Sequence, residues 1–107
     1  MKADALKGHL ELLLLSVVSA NPGHGYAIAE ALRARSDAVI DLAEGTLYPA
    51  LHRLERSGWI AGRWTEVNGR RRRIYRLTAK GRRALTHKRE EWNLFARSVD
   101  AVAGGRP

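Results

Sequence analysis

The stretch EGTLYPALHRLERSGWIAG, Glu44 to Gly62, decides the fold. At about 100° per residue its apolar members Leu47, Ala50, Leu51 and Leu54 gather on one side, the signature of an amphipathic helix. Ser57-Gly58 supplies a C-terminal stop, and the texture after it turns strand-like. Pro49 lies inside this helix, directly after Tyr48. Proline lacks an N–H and is tolerated only near a helix start, where that donor has no intrahelical partner. The helix is therefore expected to begin between Glu44 and Thr46 and to run over about 45–57, with Thr46 helping to satisfy the open donors. Its other side carries Thr46, Pro49, His52, Arg53 and Arg56, with Tyr48 at the margin. Such a face is either a solvated basic surface or a reader of DNA. For reading, arginine bonds guanine bidentately, and threonine methyl, proline and tyrosine contact a thymine methyl.

Downstream, WIAGRWTEV (59–67) and RRIYRLT (72–78) are rich in β-branched and aromatic residues. Asn68-Gly69 between them is a strong hairpin signal, so a two-stranded wing is expected over about 59–78. Its tip bears the run Asn68 to Arg73, which contains four consecutive arginines. Strand side chains alternate, so these cannot all face one way; at a tip they fan out toward phosphates or a narrow minor groove. Thr78 caps a last helix over 79–103. Leu85, Trp92 and Val99 share one heptad position there, and Lys88, Phe95 and Val102 the position three further on, a coiled-coil seam. Residues 104–107 read as a disordered tail.

Upstream, the apolar residues from Ala5 to Ser19 predict one helix that is buried on more than one side. The segment NPGHG breaks it, and YAIAEALRA begins a second helix, followed by a weakly patterned connector. Three helices, a hairpin and a long helix make a mainly α fold with a β-hairpin. This is a winged helix-turn-helix domain over 1–78 plus a C-terminal dimerisation helix.

The 107 residues suffice for one domain, and 45% are hydrophobic, enough for a core. Net charge is +8 and is unevenly placed: residues 53–89 carry thirteen basic and two acidic side chains, while both flanks are slightly negative. A basic block between near-neutral flanks is the footprint of a polyanion binder. The absence of cysteine removes disulfides and thiol catalysis and fits a reducing compartment. The N-terminal apolar run is interrupted by Glu11 and is too short to be a signal peptide or membrane span, so a soluble cytoplasmic protein is expected. The four histidines lack metal-ligand spacing, no nucleophile or phosphate-loop motif is present, and Glu90-Glu91 diverge on a helix. Neither a cofactor, a metal nor an enzymatic activity is expected.

Two further residues stay open between roles. Tyr26 opens the second helix, where a hydroxyl and free N–H groups suit a phosphate, or else it packs under the fold. Trp92 either fills a dimer core or, paired with its two-fold copy, lines a slot for a flat ligand.

The strings GHGYAIAEALR, GTLYPALHRLERSGWI and GRRRRIYRLTAKGRRAL resemble the PadR family of transcriptional regulators, in its smaller subfamily with a short C-terminal helix. The likeness runs from about Leu10 to Ala103. It implies a homodimeric repressor of a palindromic operator in double-stranded DNA, with the last helix packed on the partner's first. It implies DNA contacts at Tyr26, Thr46, Tyr48, Pro49 and the wing from Gly69 through Arg70 and Arg71 to Arg72. The face of the reading helix adds His52 and Arg53. Trp92 stands fourteen residues after Thr78, the offset at which relatives that bind flat aromatic drugs keep a tryptophan, so a small aromatic or phenolic effector is implied. The dimer residues expected are Leu10, Leu14, Leu85, Trp92, Phe95, Val99 and Val102. The alternative is an architectural DNA- or RNA-binding protein without an effector.

Overall fold

The computed structural model describes residues 3–104. The elements run α1 (Ala3–Leu6), α2 (Leu10–Ala20), α3 (Gly25–Arg35), α4 (Glu44–Arg56), β1 (Ile60–Val67), β2 (Arg70–Leu77) and α5 (Ala79–Ala103). This is a winged-helix arrangement with one antiparallel ribbon and a long terminal helix. From residue 105 on, the expected tail lies outside the described residues.

The core follows the apolar stripes. Leu14, Leu15 and Val18 of α2, Ile28 of α3, Leu51 and Leu54 of α4, and Ile60 of β1 are all sealed from solvent. Leu77 of β2 and Leu85 of α5 close it on the far side. No polar or charged residue is buried among the described residues, so apolar burial organises the centre.

One helix was expected from Ala5 to Ser19; two are found, separated by a turn at Gly8 with φ +88°. Leu6 and Leu10 keep helical spacing across this break, which is why periodicity alone joins them. Glycine adopts the left-handed turn without steric cost, and the His9 N–H then bonds the Leu6 carbonyl at 2.8 Å.

Helix α4 begins at Glu44, the earlier of the two starts considered. Ala43 is its extended cap, and its carbonyl receives the Thr46 and Leu47 N–H groups at 3.0 and 2.9 Å. The Thr46 hydroxyl makes no capping bond, contrary to expectation. Pro49 therefore stands beyond the first turn and deprives the Gly45 carbonyl of its i+4 donor. The other end closes as a Schellman motif: Gly58 has φ +76°, its N–H bonds Glu55, and the Trp59 N–H bonds Leu54, each at 3.0 Å.

Asn68 and Gly69 have φ of 53° and 78°, so both central residues of the hairpin turn are left-handed. That is the turn Asn-Gly favours, and it sets the register from Val67↔Arg70 to Ile60↔Leu77. The base of the ribbon is tied to the start of α3, where Gly23 and Tyr75 exchange N–H···O bonds of 3.1 and 2.9 Å. Thr78 caps α5 by accepting from the Gly81 N–H at 3.0 Å, and its hydroxyl donates to the Gly58 carbonyl at 2.6 Å. This joins the ends of α4 and the ribbon to α5.

Candidate nucleic-acid interface

The leucine stripe of α4 fixes which residues it presents outward. Pro49, His52, Arg53 and Arg56 are exposed, Tyr48 is 37% exposed and Thr46 is half-buried. These candidates do not all meet in one place. Tyr48 and His52 turn toward the wing and share an open recess of about 360 Å³ with His24, Trp64, Tyr75 and three arginines, Arg71 to Arg73. Thr46 and Arg53 turn to the opposite flank, where they line a second recess with Leu6, Lys7, Leu10 and Glu11. Tyr48 leans on the start of α3: a Cβ placed on Gly25 would lie 2.6 Å from its ring. Tyr26 points outward, 65% exposed, and stacks with His24 at 6.4 Å between centroids. Of the two roles left open for it, packing under the fold does not fit that exposure.

The register divides the arginines of the wing. Arg71 and Arg73 stand opposite Glu66 and Trp64, and Arg70 and Arg72 opposite Val67 and Thr65. Alternation puts the first pair on one face and the second on the other. Arg73 is engaged by Glu55 of α4, and that hydrogen bond raises its guanidinium pKa further above the usual range. Burial, and then the charge of Arg72, lower the His24 imidazole from its usual value of 6.5. Burial, then the nearby Glu55 carboxylate, pushes the Tyr75 phenol up. The recess thus combines arginines, two histidines and aromatic faces, a lining suited to a phosphate backbone and its sugars.

Trp64, His24 and Lys7 are the residues the sequence reading did not single out. Trp64 was within reach of it, because counting back from the Asn-Gly turn pairs it with Arg73. Lys7 and His24 come into place through packing between segments distant in the chain.

A second exposed feature lies along α5. Trp92, Phe95, Val99 and Val102 leave 42%, 55%, 43% and 90% of their surface open. Trp92 meets the His9 ring edge-on at 5.2 Å and Phe95 at 6.1 Å. With Leu12, Lys88 and Glu91 they border an open recess of about 300 Å³. Leu10 is half-buried. Leu14 and Leu85 require a correction: at 0% and 2% exposure they are spent in this chain's own core and have no surface for a partner. Among the described residues no group of three or more His, Asp or Glu is placed to hold a metal ion, and no helix is long and apolar enough to cross a membrane.

Residues 14–87 match the family model described as the Transcriptional regulator PadR-like family. A transcriptional regulator of Mycobacterium tuberculosis is 39% identical over 90 residues, covering 84% of this chain and 81% of the relative. The structure of a transcriptional regulator from Clostridium thermocellum superposes with a TM-score of 0.87 at 31% identity, covering 94% of this chain and 99% of that one. A PadR family regulator from Clostridium difficile gives 0.77 at 30% identity, over 88% and 97% of the two chains.

Proposed function

This chain belongs to the PadR-like family of transcriptional regulators, and from that premise we propose that it is a dimeric cytoplasmic repressor that binds a palindromic operator and is released by a small molecule. The observation that carries the reading is the recess between α4 and the wing, whose arginines come from the strongly basic block of residues 53–89. Helix α4 enters the major groove, with Thr46, Tyr48, Pro49, His52 and Arg53 toward bases and backbone. Gly69 to Arg72 straddle the adjacent backbone, and Tyr26 meets a phosphate. Arg53 and the wing arginines supply most of the salt-dependent affinity. The exposed stripe of Trp92, Phe95, Val99 and Val102, with Leu10, forms the two-fold interface. The recess beside Trp92 receives a flat aromatic or phenolic effector, which releases DNA only by binding more tightly to a dimer whose helix spacing no longer fits the operator.

Footprinting on the DNA upstream of the protein's own gene tests this. The expected result is a protected palindrome with half-sites about one helical turn, ~34 Å, apart. Uniform weak protection would instead identify an architectural binder.

A further inference from the structure

Arg73 differs from the other arginines of the wing. Its guanidinium donates to Glu55 Oε2 in the last turn of α4, and both side chains are largely shielded, 29% and 24% exposed. Among the described residues this is the one side-chain ion pair between wing and reading helix. The same guanidinium lies 5.6 Å from the Trp64 ring centre and 6.0 Å from that of Tyr75. Space for it exists because residue 62 is glycine: a Cβ there would come within 2.5 Å of Arg73 Nε. Arg71 also stacks on Trp64, with its guanidinium carbon 4.8 Å from the ring centre. A continuous stack, Glu55 to Arg73 to Trp64 to Arg71, therefore runs from the helix toward the tip of the ribbon. The backbone ties and buried pairs that hold the ribbon act at its base, at Tyr75 and at Ile60–Leu77.

We propose that Glu55 is a positioning residue for the wing: through Arg73 it holds the Trp64 ring, and through that ring it holds the Arg71 guanidinium at a fixed spacing from α4. This rests on the DNA-binding reading above. Without the stack, Arg71 and the outer ribbon must be ordered at each binding event, which costs affinity. A carboxylate near a polyanion site repels the polyanion, so charge alone predicts tighter binding when Glu55 is neutralised. Positioning predicts the opposite sign.

The test measures binding of a short random-sequence duplex by fluorescence anisotropy at fixed low salt. Glu55→Gln should bind about ten-fold more weakly despite the added net positive charge. Arg73→Lys, which keeps the charge and loses the flat stacking group, should show a similar loss. In a Trp59→Phe, Trp92→Phe background, acrylamide should quench Trp64 more readily once Glu55 is changed. Glu55→Gln should add little to the loss from Arg71→Ala, because it acts through that residue. Equal or tighter binding by Glu55→Gln, fully additive losses, or unaltered Trp64 quenching would overturn the inference while leaving wild-type DNA binding intact. Failure of the wild type to bind any duplex would overturn the underlying reading and this inference with it.

Discussion

If the α5 stripe forms the proposed dimer interface, replacing Phe95 with alanine should shift the protein to monomers without harming the fold of either chain. Phe95 lies ten residues beyond Leu85, the last buried residue of α5, and leaves 55% of its surface open. For an aromatic side chain of about 200 Å² that amounts to roughly 110 Å². At about 25 cal/mol per Å², its removal from water contributes about 2.8 kcal/mol per protomer. A two-fold interface uses the residue twice, for an upper bound of about 5.5 kcal/mol. Side-chain ordering and incomplete burial reduce this to about half, which corresponds to a rise of about two orders of magnitude in the dimer dissociation constant. Alanine is the best helix former, so α5 itself should persist in the exposed variant. Sedimentation velocity over a dilution series gives the dissociation constant, and circular dichroism checks helix content. A dissociation constant equal to that of the wild type, with helicity retained, would refute the assignment of this stripe to the interface.

Changing Arg70 and Arg71 together to alanine should weaken binding to all duplexes alike and lower the salt slope by about 1–2; an unchanged slope would remove the wing from the interface. His24 is lowered from 6.5, first by burial and then by Arg72. The unfolded chain therefore binds this proton more readily, so the contribution of His24 to stability is complete above pH 6.5 and is lost as pH falls through its lower folded value. A phosphate in the recess acts in the reverse sense. Duplex affinity should then rise as pH falls toward the lowered His24 value, by at most about ten-fold per unit for one proton, and His24→Gln should flatten that slope. An undiminished slope would assign the titration elsewhere. Gly81→Ala would place a Cβ 1.9 Å from the Trp59 carbonyl oxygen. Its cost should be about 1–3 kcal/mol, read as a lower urea midpoint, and an unchanged midpoint would contradict that close approach.

The parts of the fold that were legible in the sequence rest on local rules. The leucine stripe of α4 and the Asn68-Gly69 turn each specify their own geometry within a few residues, and the turn then sets the whole register of the ribbon. The break at Gly8 was hidden because Leu6 and Leu10 remain four apart across it, so the pattern looks continuous. Leu14 and Leu85 were misplaced for other reasons: Leu85 shares the heptad position of Trp92 and Val99, yet it lies near the start of α5 and is buried in this chain's own core. Helix α2 is apolar around most of its circumference, and sequence does not say which side faces this chain and which a partner. The division of the α4 candidates between two recesses, and the pairing of Glu55 with Arg73 across eighteen residues, arise from packing between elements, which no local pattern encodes.

By this reading α4 and the wing recognise duplex DNA in a sequence-specific way. Anisotropy titrations with the footprinted upstream duplex and with a random duplex, at one physiological salt concentration, test it most directly. The upstream duplex should bind at least ~10³-fold more tightly. Equal affinities, or no binding to either duplex, would contradict it.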